Sequence, residues 1–305
     1  MPFFRMPDGE NLFVRMYGQG QPVLVLSGLG MLSWQWAAFL SPHQRKFRFI
    51  IPEWRGFGQS SQCRIPDLDA ISSHWRDIDC LMQQLNLDQY LVIAYSMGAT
   101  TTMHGLKHGN FSDKIQAYLH IDQTPKITVD DEWAYGLFGT KHTQFKSILQ
   151  NISDLLATQQ QSQRIEKMPT HTRQHLADLW LQFIALQNNH PQQLKIFNWV
   201  LNQPQLQGFL LPSKNINYMA WYINNYLHHT EDYRDALQQL NCPVTFFSGV
   251  QSKLYPIEGQ NLIVKSLKQA KQIQFEQSGH TPLLSEPIKF AKEMAIFLKQ
   301  NQITP

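Results

Sequence analysis

Apolar residues come in short blocks over the first part of the chain, and turn residues separate the blocks. "NLFVRMY" (11–17) alternates apolar and polar positions, as a half-buried strand does. "VLVLS" (23–27), "FRFIIP" (47–52), "YLVIAY" (90–95) and "IQAYLHI" (115–121) are near-continuous runs, the pattern of strands buried on both faces. "VTFFS" (244–248) and "IQFEQS" (273–278) repeat that signal near the end. Two segments carry helical spacing instead. In 72–87, Trp75, Ile78, Leu81, Met82 and Leu85 recur at intervals of three and four. Residues 285–300 read as a last helix, with Ser285 as its cap and Pro287 in its first turn. Strands alternating with helices predict an α/β fold, a mostly parallel sheet covered by helices on both faces.

Between 126 and 240 the strand signal stops. The stretch is rich in Gln, Asn and aromatic residues, and "IEKMPTHTRQHLADLWLQFIALQ" and "INYMAWYINNYLHH" have helical spacing. The chain therefore divides into 1–125 and 241–305, two parts of an α/β core, and 126–240, a helical insertion. An insertion late in such a sheet is expected to stand over the carboxyl ends of the strands, where ligands bind, as a lid or cap.

Composition narrows the class without naming a reaction. The chain has 305 residues, 43% of them apolar, and a mean hydropathy of −0.34. No run approaches the roughly 20 apolar residues that span a bilayer. A net charge of +3 without a Lys/Arg block does not imply nucleic acid. The opening "MPFFRMPDGENLF" lacks the apolar core and small residues of a secretory signal. Three scattered cysteines (Cys63, Cys80, Cys242) suggest neither a disulfide framework nor a zinc site. A cytoplasmic protein with no cofactor is the expectation.

"LVIAYSMGATTTMHG" (91–105) carries the strongest chemical signal. Ser96 sits where a strand gives way to a helix, with Ala94 two residues before it and Gly98 two after. Small side chains at those positions relieve the crowding of a sharp strand-to-helix turn and leave the hydroxyl exposed as a nucleophile. His104 and His108 share one helical face, but "GLK" between them lacks the glutamate of a metal-binding H-E-x-x-H, so no metal is implied.

With these residues the chain resembles the α/β-hydrolase-fold family, over nearly everything outside 126–240. "AYSMG" is similar to the family's G-x-S-x-G elbow, "LSGLG" to its oxyanion loop, "IPEWRGFGQSS" to its D-x-R-G-x-G-x-S segment, and "SGHTPLLSEP" to the loop that carries its histidine. Two positions depart from the pattern. Ser27 stands where His is usual, which removes a side chain able to brace the oxyanion loop, and Glu53 stands where Asp is usual.

The resemblance assigns roles. His280, in a loop before the last helix, would be the general base for Ser96. The backbone N–H groups of Leu29 and Met97 would hold the oxyanion. The acid most members carry after the strand "VTFFSG" is absent, since Ser252 occupies that position in "SGVQSKLYP". Asp122, directly after "AYLHI", is the favoured replacement, with Glu258 the other candidate. Trp34, Trp36 and Tyr95 could wall a substrate pocket, while Trp180, Phe183 and Trp221 fit a helical core. This points to a serine hydrolase cleaving a carboxylic ester, thioester or lactone of a small apolar substrate. Two readings stand beside it. "IPEWRGFG" and Asp122 are also similar to cofactor-independent ring-opening dioxygenases of this fold, although those carry histidines beside the serine, where Tyr95 and Met97 stand here. A non-catalytic binding protein is the third.

Overall fold

A run that is apolar on both faces is satisfied only between two helical layers, and that is how the buried blocks are used. The computed structural model describes residues 2–159, 164–187, 191–203, 206, 210–211 and 213–303. Eight strands form one sheet: β1 (Phe3–Arg5), β2 (Asn11–Gly18), β3 (Gln21–Leu26), β4 (Phe47–Pro52), β5 (Tyr90–Tyr95), β6 (Ile115–Ile121), β7 (Val244–Gly249) and β8 (Ala270–Phe275). Their order is β1-β2-β4-β3-β5-β6-β7-β8. β1 and β2, and β2 and β4, pair antiparallel, and every later pair is parallel.

The period of two along each strand splits the core into two layers. Leu24, Leu26, Val92, Ala94 and Tyr118 face one layer, where α2 (Ala70–Leu85) and α3 (Met97–His108) pack. Val23, Val25, Leu91, Ile93 and Leu119 face the other, where α1 (Ala37–Leu40) and the last helix (Pro287–Gln300) pack.

Apart from shifts of one or two residues at strand and helix ends, the structure departs from the pattern reading in these places. β1 had no signal of its own, being three residues long. β8 begins three residues before "IQFEQS", because Ala270 and Lys271 pair with Val244 and Thr245 along a sheet edge whose outer positions are polar. α2 begins at Ala70, capped by the Asp69 carboxylate, which accepts the Ser72 N–H at 3.0 Å. Ser285 does not cap the last helix: it ends a separate turn, Pro282–Ser285, and Glu286 is the cap residue, with Pro287 in the first turn.

Among the described residues no strand lies between Ile121 and Val244. That segment holds α4 (His142–Ala157), α5 (Thr170–Gln187), α6 (Pro191–Leu201), α7 (Ile216–His228) and α8 (Arg234–Gln238). α4, α5 and α7 share an apolar cluster of their own, built on Phe145, Ile152, Leu176, Trp180, Met219 and Ile223. No helix among the described residues is long and apolar enough to cross a membrane, and Cys63, Cys80 and Cys242 are free thiols.

Arg55, after β4, is fully buried and carries two carboxylates. Its Nε and Nη2 meet Asp77 of α2 at 2.6 and 2.7 Å, and its Nη1 meets Asp8 at 2.6 Å. Removing one partner strands a buried charge. Asp77→Ala is expected to lower unfolding free energy by about 3–5 kcal/mol in urea denaturation; a loss below about 1 kcal/mol would show that the cluster is dispensable.

Three buried histidines make stability depend on pH. Burial pulls His74 down to about 3, and His104 and His120 down to about 4. The unfolded chain, with imidazoles near 6.5, therefore binds protons first, and each histidine's penalty grows as pH falls from 6.5 toward its folded value. The denaturation midpoint should drop between pH 7 and pH 5, by up to about 1.4 kcal/mol per unit for each histidine. A flat profile over that range would contradict their burial as neutral groups.

Candidate active site

Ser96 follows β5 in a left-handed backbone, φ 52° and ψ −121°, with its N–H bonded to the Ile121 carbonyl at 3.1 Å. Such a conformation is costly for a residue with a side chain. Gly98 permits it, because a Cβ there would lie 2.2 Å from the Leu26 carbonyl oxygen. The turn directs the hydroxyl away from the sheet and starts α3 at Met97. A helix's first N–H groups have no partner within the helix. The N–H groups of Met97 and Leu29 have no protein acceptor among the described residues.

His280 reaches Ser96 from the connection after β8. Its Nε2 lies 2.9 Å from Ser96 Oγ, and its Nδ1 lies 2.8 Å from Asp122 Oδ2. A carboxylate only accepts, so Nδ1 carries the hydrogen and Nε2 of the neutral ring is free to accept from the serine. The ring is fixed between Tyr95, stacked at 5.1 Å, and Tyr255, edge-on at 5.3 Å. Tyr95 also donates its hydroxyl to the His280 carbonyl at 3.0 Å, and burial pushes its pKa up, so it remains a neutral donor. Glu286 braces the same loop by accepting from the Gln277 N–H and the Ser278 hydroxyl.

Asp122 follows β6, fully buried and at φ 40°. Besides His280 it accepts from the Gly249 N–H at 2.9 Å, Ser252 Oγ at 2.8 Å and Gln260 Nε2 at 3.1 Å. Glu258 is elsewhere: it lies exposed in the first turn of α9 (Ile257–Ser266), on the wall of a neighbouring cleft. Ser96, His280 and Asp122 are therefore brought together, and Glu258 is not. Ser252 was noted only as standing where a carboxylate is usual, not as a donor to Asp122, and Gln260 was missed altogether, since it belongs to no motif and its contact spans 138 residues.

A cavity of about 320 Å³ opens over Ser96. Gly28, Leu29, Tyr95 and His280 line its floor, and Phe138, Phe145, Leu149, Trp180, Phe183 and Ile223 are among the apolar residues of its walls. Trp34 and Trp36 are not on it. Trp34 is 58% exposed, and Trp36 is buried in the core beneath the sheet. The helical spacing that counted against Trp180 and Phe183 as pocket residues does not separate core from cavity, because a helix packed over a cavity presents one face to both.

Trp36 instead holds the loop that carries Leu29. Its Nε1 donates to Ser27 Oγ at 2.9 Å, and Trp54 Nε1 donates to the Ser27 carbonyl at 2.8 Å. Two indoles thus hold the loop where a histidine had been expected. Glu53 is buried and ties the neighbouring turns together by accepting from the Ser33 N–H, the Ser33 hydroxyl and the Gln59 N–H. The His104 and His108 rings lie 4.5 Å apart, tilted by 42°, and bond to Tyr233 and Glu231 respectively. Among the described residues no group of three or more His, Cys, Asp or Glu side chains could hold a metal ion.

A hydroxyl, an imidazole and a carboxylate in this chain, beside two free backbone N–H groups, form an arrangement able to carry out nucleophilic acyl transfer on a parallel sheet. A serine on a strand-to-helix elbow above a parallel sheet is the arrangement of one class of enzymes. The family model described as alpha/beta hydrolase fold matches residues 21–287, and the chain belongs to that family. It is 22% identical over 291 residues to a pimeloyl-[acyl-carrier protein] methyl ester esterase of Legionella pneumophila, covering 95% of this chain and all of that one. It is 22% identical over 298 residues to the AB hydrolase superfamily protein YisY of Bacillus subtilis, covering 97% and 98%. Among solved structures, an esterase from Exiguobacterium antarcticum aligns with a TM-score of 0.70 at 20% identity, covering 98% of this chain and 99% of that one. The enol-lactonase from Burkholderia xenovorans aligns with a TM-score of 0.65 at 16% identity, covering 98% and 100%.

Trp36→Phe keeps the ring and removes the N–H to Ser27. One lost hydrogen bond of about 1 kcal/mol should loosen the loop that carries Leu29 and lower turnover by roughly 3–10-fold. Steady-state kinetics on an ester that the enzyme accepts would check this, and parental turnover would remove Trp36 from the account.

Proposed function

We propose that the protein is a serine esterase that cleaves carboxylic esters, thioesters or lactones with an apolar acyl group, through an acyl-enzyme. The observation that carries the reading is the unbroken chain Ser96 Oγ, His280 Nε2, His280 Nδ1, Asp122 Oδ2, with both links under 3 Å. Ester-cleaving names among the relatives and structural neighbours support the same reaction type.

In the proposed reaction Ser96 Oγ attacks the ester carbonyl carbon while His280 Nε2 takes its proton. Asp122 stabilises the imidazolium and keeps the ring in the productive tautomer. The Leu29 and Met97 N–H groups donate hydrogen bonds to the carbonyl oxygen as its negative charge develops, and one such donor is typically worth ~10²–10³ in turnover. His280 then returns the proton to the departing alcohol or thiol. Water, activated by the same imidazole, releases the acid and restores Ser96. The helices of 126–240 act as the lid: α4, α5 and α7 wall the cavity with apolar side chains, so the acyl part is bound by burial and water is excluded.

The test begins with a fluorophosphonate and intact mass. A single adduct on the parent chain, absent from Ser96→Ala, is expected, together with a loss of turnover by ~10⁴ or more in that variant. Asp122→Asn should cost ~10³–10⁴ in turnover, and Glu258→Gln should leave it unchanged. A folded sample that takes no adduct but consumes oxygen with a ring substrate would replace this reading by the dioxygenase one.

A further inference from the structure

Asp122 is held by more than its histidine. An ionised carboxylate has about four lone-pair sites, and here each is met by a donor. Oδ1 accepts from the Gly249 N–H and Gln260 Nε2, and Oδ2 from Ser252 Oγ and His280 Nδ1. Three of these donors come from one stretch: the end of β7, the turn after it and the first turns of α9. We propose that Ser252 and Gln260 are positioning residues, which act through Asp122 to aim its Oδ2 at His280. The inference rests on the triad reading above.

The direction of each bond follows from its surroundings. Ser252 Oγ accepts the Tyr255 N–H at 3.4 Å, which leaves the hydroxyl's single proton for Asp122. Gln260 is 1% exposed, and its Oε1 has no hydrogen-bond partner. Its Nε2 is shared between Asp122 Oδ1 and the Tyr255 carbonyl. Flipping the amide would set Oε1 against a carboxylate and a carbonyl. The side chain is thus committed as a donor although its own acceptor goes unpaired, an arrangement that favours the carboxylate over Gln260 itself. Ser252 stands in the loop where a carboxylate had been expected, and it supplies a proton to the acid on the next strand.

Four variants test this beside Asp122→Asn: Ser252→Ala, Ser252→Thr, Gln260→Leu and Gln260→Glu. Losing one donor to a charged group should lower kcat about 10–100-fold in Ser252→Ala, with KM unchanged. Ser252→Thr, which keeps the hydroxyl, should recover most of it. Gln260→Glu sets a second carboxylate against Oδ1. Like charges that close share a proton at neutral pH, so the acidic limb of the pH–rate profile should move up by about one unit or more. Gln260→Leu lowers kcat without moving that limb. Merely structural roles would lower Tm and leave the profile in place. The inference is overturned if Ser252→Ala keeps parental kcat, if Ser252→Thr recovers nothing, or if Gln260→Glu and Gln260→Leu share one pH profile. A harmless Asp122→Asn would sink the triad reading itself; a crippling one, with inert Ser252 and Gln260 variants, would sink this inference alone.

Discussion

A serine held at φ 52° and ψ −121° occupies a backbone conformation that is costly wherever it occurs, so something must hold it there. Three contacts do. The Ser96 N–H is bonded to the Ile121 carbonyl, and the Ser96 carbonyl receives the N–H groups of Ala99 and Thr100. Against β3, Gly98 has no side chain to collide with Leu26. The turn is therefore bonded to β6, pressed onto β3 and continuous with α3. Its strain is offset by the packing of the sheet as well as by these local bonds, which ties the position of one hydroxyl to the register of three strands.

That register also places the acid. Tyr95 pairs with Ile121, and Ile121 with Phe247, so Ser96, Asp122 and the end of β7 leave the sheet at one level. A carboxylate on either β6 or β7 would emerge near His280, and in this chain the strand next to that of Ser96 carries it. Asp122 is itself at φ 40°, a second unusual backbone within one bonded pair of strand ends. Buried without compensation, its charge would be expensive. The donors contributed by the connection after β7 lower that cost and leave the carboxylate a single orientation.

The buried strands were legible because they are apolar on both faces; β4, β5 and β6 begin and end where the runs do. β1 was not, and β8 was read three residues late, since an edge position needs no continuous run and polar residues there are as satisfied as apolar ones. That Ser96 and His280 would meet could be read from local context, the one from its small neighbours and the other from its place before the last helix. Trp36 was misread for a physical reason: an aromatic near an oxyanion loop is equally suited to line a pocket or to pass beneath the sheet, and only tertiary packing decides. The support that Ser27 seemed to have lost is supplied by Trp36 and Trp54, whose indole N–H groups reach it from 9 and 27 residues away. No local pattern encodes such contacts.

The apolar cavity and the saturated carboxylate bear on the same physical problem. Walls such as Phe138, Phe145 and Trp180 give the region between Ser96 and the helices above it an apolar lining. Excluding water strengthens the attraction between an imidazolium and Asp122, because the local dielectric falls. It also removes the solvent that would otherwise satisfy the carboxylate's remaining lone pairs, so the protein must satisfy them itself. Tyr255 links the two requirements: its ring stands on the cavity wall against His280, while its backbone N–H and carbonyl bond to Ser252 and Gln260. A change in how the wall packs on Tyr255 would therefore reach the acid through its donors. The cavity wall and the hydrogen bonds that hold Asp122 share one loop.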